Sequence, residues 1–139
     1  MLFRSIETLI RARYPLLFVV CSEEMRAREA LLAIAARRQK KAYEWSVTTG
    51  LLQAGVSIQS QKSRNPATKD PLVALEWVVD SVEPALFIFK DFHPFLAAPH
   101  HAVIRRLKEV AIHLKNSFKT VVLLGPVLQT PVEIGRAHV

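Results

Sequence analysis

Lys90 and Asp91 are the residues of this chain best placed to do chemistry. They close an unbroken apolar run, Ala85 to Phe89, that follows Pro84, and they lead into the stiff tripeptide Phe92, His93, Pro94. Such a run has the pattern of a strand buried on both faces. Ligands of open α/β sheets bind outside the carboxyl ends of the strands, so a base and an acid at that place are candidates for catalysis or ion binding. The same pattern equally describes a strand that ends at the surface.

Other chemistry is narrower. Phosphate-binding loops need glycines after the first strand, so that backbone amides can surround the phosphates, followed by Lys and Ser or Thr. The first apolar run here, Pro15 to Cys21, is followed instead by Ser22, Glu23 and Glu24, and the only glycines are Gly50, Gly55, Gly125 and Gly135. Two acids where phosphates would sit repel an anion, and a dinucleotide site fails on the same count because no GxGxxG is present. The end of the Ala85–Phe89 run resembles the hydrophobic strand of P-loop ATPases that closes in Asp-Glu, with Lys90 in the place of the first acid and Asp91 in that of the second. A lysine does not ligate magnesium, so metal-dependent hydrolysis is not expected at this position. Cys21, the single cysteine, forms no internal disulfide, and nothing near it in sequence would activate it. His93, His100, His101, His113 and His138 lack the cysteine or acid spacing of a metal site. No nucleophile elbow is present.

The elements that must position these residues follow from periodicity. Leu2, Phe3, Ile6, Leu9 and Ile10 mark one stripe of a helix ended by Tyr14 and Pro15. Pro15 to Cys21 reads as the first buried strand, after which Ser22 can cap a helix with Glu23 and Glu24 in its first turn and Ala27, Leu31, Ile34 and Ala35 on its buried side. Ala42 to Val47 reads as a second strand. Leu51 to Ile58 is open between a short hairpin and an extended excursion, and Ser60 to Lys69 reads as a mobile loop. Asp70 and Pro71 form an N-cap and N1 pair for a helix carried by Leu72, Leu75, Val79 and Val82. After the Ala85 run, Val103, Ile104, Leu107, Val110, Ala111 and Leu114 make the clearest helical stripe, and Thr120 to Leu124 reads as a fourth strand stopped by Gly125 and Pro126. Strands alternating with helices predict an α/β fold: a mainly parallel sheet with flanking helices, a three-layer Rossmann or P-loop-NTPase-like core, incomplete at the C-terminus.

At 139 residues and 15.7 kDa the chain is long enough for one domain with one core. Half of its residues are hydrophobic and 22% are charged, which excludes a disordered or disulfide-scaffold protein. No apolar run approaches the roughly 18–20 residues that span a bilayer, and the amino terminus lacks a signal-peptide pattern, so no membrane role and a cytoplasmic location are expected. The formal charge of +7 points to an anionic partner, with Arg37, Arg38, Lys40, Lys41, Arg105 and Arg106 as the candidate surface. Solvated helix faces are the ordinary explanation for such residues. Interleaved aromatics and bases at Tyr43, Trp45, Phe118 and Lys119 are too sparse for a regular nucleic-acid stacking platform, although single-strand binding stays open.

IRARYPLLFVV, KKAYEWSVTTGLL, DPLVALEWV, LFIFKDFHPFL and KTVVLLGPVLQTPVE together resemble the amino-terminal region of an AAA-family ATPase of cyanobacteria, other bacteria and plastid genomes. The resemblance covers about Ile10 to Val132. It implies a degenerate, non-catalytic AAA-like domain at 1–132, with Lys90 and Asp91 in the Walker-B place, Phe92, His93 and Pro94 forming a family turn, and Gly125 where active modules carry a polar sensor. No catalytic, cofactor-binding or metal residue is carried over. By the same resemblance the parent uses ATP and magnesium to remodel a partner, while this domain packs on the parent's own C-terminal ATPase module, supports a homo-oligomer, or recognises the partner. Its location would be the cytoplasm or the plastid stroma. The alternative is a basic nucleic-acid-binding α/β module. Residues 133–139, ending IGRAHV, read as the translation of a common short-read sequencing adapter, so the natural chain is expected to continue past about Val132.

Overall fold

The computed structural model describes residues 2–55, 66–127 and, as backbone, 137–138; the side chains of Leu2 and Phe3, the segment 56–65 and most of the tail lie outside the described residues. The elements are α1 (Leu2–Arg11), β1 (Leu16–Val20), α2 (Glu24–Arg37), β2 (Lys41–Ser46), β3 (Gly50–Gln53), α3 (Pro71–Asp80), β4 (Ala85–Lys90), α4 (His101–His113), β5 (Lys119–Gly125) and the two-residue β6 (Ala137–His138). Short 3₁₀ turns occupy Pro66–Lys69 and His93–Leu96.

The sheet runs β3-β2-β4-β5-β1-β6. Every pairing is parallel except β2 with β3, which closes an antiparallel hairpin at the edge. Placing β5 between β1 and β4 means that the strands were not laid down in chain order, so the direction of winding reverses beside β1. That makes the carboxyl ends of β1, β5 and β4 the crevice in which a ligand of such a sheet would sit. β6 pairs with β1 in parallel, Leu17 opposite Ala137 and Phe18 opposite His138.

Alternation along the strands divides the core. Leu17, Val19, Leu86, Ile88, Val122 and Leu124 meet Ile6 and Ile10 of α1 and Ala27, Leu31, Ile34 and Ala35 of α2 on one face. Phe18, Trp45, Phe87, Phe89, Val121 and Leu123 meet Ala74, Leu75 and Val78 of α3 and Val103, Leu107 and Val110 of α4 on the other. The result is the expected three layers, a helix pair on each side of a mainly parallel sheet. Each large apolar side chain fully withdrawn from water contributes roughly 1.5–3 kcal/mol.

Three local expectations are corrected. Glu23, not Ser22, is the N-cap residue of α2, and its side chain makes no capping bond. Of the expected α3 stripe, Leu75 is buried and Leu72 and Val79 pack against the core, joined by the buried Ala74 and Val78, but Val82, 94% exposed, falls beyond the helix end. The inner face is wider than the expected stripe because α3 is hydrophobic on nearly all sides, so periodicity alone did not select it. Of the expected Ser60–Lys69 loop, the described part is a 3₁₀ turn that buries Thr68. Thr68 accepts at its carbonyl from Trp45 Nε1 (2.6 Å) and at Oγ1 from the Leu51 amide (2.9 Å), tying the turn to the sheet edge. By contrast Asp70 caps α3 as expected, its carboxylate accepting from the Leu72 amide at 2.9 Å.

Gly50, at φ +72°, lies where an added Cβ would come within 2.7 Å of Thr68 Oγ1. Left-handed backbone costs a residue with a side chain roughly 1–2 kcal/mol, and the buried hydroxyl is held in place by the Leu51 amide. Gly50→Ala is expected to lower stability by about 2 kcal/mol or more in urea unfolding. In a cycle with Thr68→Ala, the double variant should lose less than the two single losses combined, because the clash needs both groups.

Candidate functional site

The carboxyl edge of the sheet brings together residues that sequence reasoning had kept apart. Lys90 closes β4 on the face shared with α2, and its ammonium lies 3.4 Å from Glu44 Oε1 in the middle of β2. Glu44 is in turn gripped by Arg28 of α2, whose Nε and Nη2 donate to its two oxygens, the second at 3.0 Å. The carboxylate is 12% exposed and its two cations 27% and 23%. Burial pushes the Glu44 carboxyl up, but the hydrogen bonds of Arg28 and the charges of Lys90 and Arg28 outweigh it and hold the group below the ordinary carboxylate range. The Arg28 guanidinium is correspondingly held more firmly protonated by its bond to Glu44.

Asp91 points elsewhere. It adopts φ +54° directly after β4, and its amide donates to the Leu124 carbonyl at 2.9 Å, which turns its exposed side chain toward β5. Phe92 is buried, and His93, Pro94 and Phe95 lie in the 3₁₀ turn that leads toward α4. Phe92 sits in an aromatic cluster with Trp45 and Phe89, ring centroids 5.4 Å apart in each pair. These contacts make the turn a packed corner rather than a loop.

Gly125 completes the edge. Its carbonyl accepts from the Cys21 amide at 2.9 Å, and an added Cβ would stand 3.3 Å from His93 Nδ1 and 3.8 Å from Asp91 Oδ1. His93 Nδ1 is buried with no hydrogen-bond partner among the described residues. The cavity here, lined by Phe18, Val20, Phe92, His93, Leu124 and Val127 among others, measures about 10 Å³, room for a single water. Cys21 is half-buried, and its thiol lies 3.7 Å from the Glu23 carbonyl. Among the described residues no group of three or more His, Cys, Asp or Glu stands close enough to hold a metal ion. His100 packs edge-on against Phe95, while His101 and His113 are exposed on α4; the His138 side chain lies outside the described residues.

The candidate basic surface is divided. Arg37 pairs with Glu7 of α1 (2.7 Å), Lys41 with Glu83 (2.6 Å), Arg105 with Glu109 (3.2 Å), and Arg106 with Glu76 (3.4 Å) and Glu109 (3.6 Å). Arg38 and Lys40 have no acidic partner among the described residues. Of the interleaved aromatics and bases, Trp45 is fully buried, Tyr43 packs between Trp77 and Phe87, and Lys119 donates to the carbonyls of Val78, Val79 and Ser81 at the end of α3. Phe118 alone of that set offers an exposed ring.

The three-layer sheet, its order and the crevice beside β1 define a P-loop-NTPase-like domain whose crevice is filled rather than open. The family model of the SpoVK-like AAA ATPase N-terminal domain matches residues 2–139, and the chain belongs to that family. It is 32% identical over 129 residues, 91% of its length, to the AAA domain-containing protein ycf46 of Trieres chinensis. The proteins of that name from Guillardia theta and Gracilaria tenuistipitata var. liui are 28% and 25% identical over 94% and 91% of the chain. In each case the match covers 24–25% of the relative, so the chain spans about a quarter of the length of the curated relatives it matches. No solved structure matches significantly.

Glu44 and Arg28 were missed in the sequence. A signal was present: an acid in the middle of an otherwise apolar strand needs a cation, and α2 carries one facing it. Glu44→Gln would leave two half-buried cations without their counter-charge, and a loss of about 2 kcal/mol at neutral pH is expected. A carboxyl whose folded pKa is depressed contributes stability above its unfolded value, ordinarily 4.5, and loses it as the pH falls through the folded value. The gap between parent and Glu44→Gln in urea unfolding should therefore be full at pH 7 and shrink as the pH falls from 4.5 through the depressed folded value. At the other end of the edge, Gly125→Ser should be more stable than Gly125→Ala by about 1 kcal/mol, because only the hydroxyl can satisfy His93 Nδ1. Equal stabilities of the two variants would show that the nitrogen needs no partner.

Proposed function

We propose that this domain is the non-catalytic amino-terminal part of a longer ATP-hydrolysing AAA protein, supplying packing surface or partner recognition while a separate module carries the nucleotide. The observation that carries this reading is the fate of Lys90. In the place where an acid would hold magnesium stands a cation, and the one carboxylate beside it, Glu44, is held by Arg28 and Lys90 together. A metal ion would have to displace two positive charges to reach it.

The rest of the crevice agrees. Glu23 and Glu24 stand at the amino end of α2, where phosphates would need amides and no negative charge. A 10 Å³ cavity is far below the several hundred Å³ of a nucleotide pocket. The residues present do not fit magnesium-ATP, and no hydrolytic step is assigned to them. A role in docking is supported by the groove of about 360 Å³ at the opposite end of the sheet, where Tyr43, Trp77 and Val82 are lined up with the Lys41–Glu83 pair. The parent's own ATPase module is the first occupant to consider, and a second copy of the chain the next. No helix of the described residues is long and apolar enough to cross a membrane, and we place the domain in the cytoplasm or the plastid stroma.

Isothermal titration of the 139-residue chain with magnesium-ATP is expected to give no binding heat at micromolar to millimolar nucleotide. Micromolar binding that disappears in Lys90→Ala would overturn the reading. A GxxxxGK[ST] loop further along the parent's reading frame is the expected companion result.

A further inference from the structure

All four helices of the sandwich end at the edge where the strands begin, opposite the crevice, and there the unneutralised charge of the molecule collects. At the ends of α1 and α2, Arg11, Arg37 and Arg38 act on one carboxylate, Glu7, while Lys40 lies close to Arg38 and Arg13. Glu7 bonds to Arg37 and is held below its ordinary pKa by that bond and by the charges of Arg37, Arg38 and Arg11. Lys40 is pushed below the ordinary lysine range by burial and by the charges of Arg38 and Arg13, which links the two helix ends into one cluster. The linked set thus holds five cations and one carboxylate. The carboxyl ends of two helices offset roughly half a charge each, so an excess of about three positive charges remains, more than stabilisation of the helix ends requires.

The cluster is also built rigidly and carries a ring. Arg13 at φ +64° and Gln39 at φ +56° are left-handed exits of α1 and α2. Their geometry is pinned by the Arg13 amide bonding to the Ile10 carbonyl (3.0 Å) and the Lys40 amide to the Ala35 carbonyl (2.9 Å). The Arg13 guanidinium lies over the Phe118 ring, 4.2 Å from its centroid, and Phe118 is 53% exposed. Planar guanidinium groups and open aromatic faces stack bases, while flanking cations hold phosphates.

We propose that this edge binds single-stranded nucleic acid, with phosphates on Arg38 and Lys40 and a base stacked on the Arg13–Phe118 pair. A duplex hides its base faces and an acidic peptide has none to stack, so the exposed ring favours an unpaired strand over either. The inference does not depend on the AAA reading, since it concerns the opposite end of the sheet from the crevice.

Fluorescence anisotropy of the 139-residue chain with labelled oligouridylate and oligothymidylate of about 20 nucleotides tests it. Binding of either at about 50 mM salt, falling steeply by about 200 mM, is expected. Arg38→Gln with Lys40→Gln should weaken it at least about tenfold and reduce the slope of log affinity against log salt by about 1.4. Phe118→Ala should weaken binding about fivefold or more with the salt slope unchanged. Arg105→Gln, in the paired charges of α4, should have no effect, and circular dichroism melting checks that the variants fold. Absence of binding at low salt, an equal loss in Arg105→Gln, or an unaffected Phe118→Ala would each overturn the proposal. Polyglutamate or a duplex competing as well as the single strand would overturn it in favour of a general polyanion surface.

Discussion

Five consecutive side chains of β4, Ala85 to Phe89, have no contact with solvent on either face of the sheet, and the architecture depends on that constraint. A strand apolar on both sides has to lie between other strands and be covered above and below, and each parallel neighbour can be reached only by a crossover. α1 and α2 supply one cover, α3 and α4 the other. Polar groups of the central strands are thereby confined to their ends or must be neutralised where they are. Lys90 meets the first condition and Glu44 the second, and because β2 and β4 are adjacent the two become one ion cluster with Arg28.

That cluster explains how a crevice of the right topology is without the chemistry usually found in one. The ends of β1, β5 and β4 stand where ligands of such sheets bind, but their groups are turned to holding the edge together. Glu44 serves two cations, Asp91 is bent away by its left-handed backbone, and His93 is packed against Gly125. The aromatic corner of Trp45, Phe89 and Phe92 fills the volume next to it. Lys119 shows the same economy at the other end, where its ammonium satisfies three carbonyls at the end of α3 at the cost of partial desolvation, which pushes its pKa down.

The two ends of the sheet consequently differ in charge logic. At the crevice, cations and acids are matched inside the protein. Where the strands begin, Lys41 is matched by Glu83, but Arg11, Arg37 and Arg38 share the single carboxylate of Glu7. Formal net charge does not distinguish these arrangements, and four of the six basic residues that stand out in sequence are matched by acids on neighbouring elements. The residues left over are Arg38 and Lys40, joined by Arg11 and Arg13 from a different helix.

Apolar runs and helical stripes by themselves determined the α/β class, the positions of β1, β2, β4, β5 and the main helices, the Asp70 cap and the absence of a glycine-rich phosphate loop, because each depends on residues within a few positions of one another. The inner face of α3, the place of Thr68 and the hairpin at Gly50 were not legible, since α3 is apolar nearly all round and the turn is held from the far side of the sheet. Only the tertiary structure decided that Lys90 answers to Glu44, that Phe118 lies under Arg13, and which basic residues keep their charge. Those relations join residues 46 and 105 positions apart in the chain, and sequence periodicity carries no term for a distance that strand order alone sets.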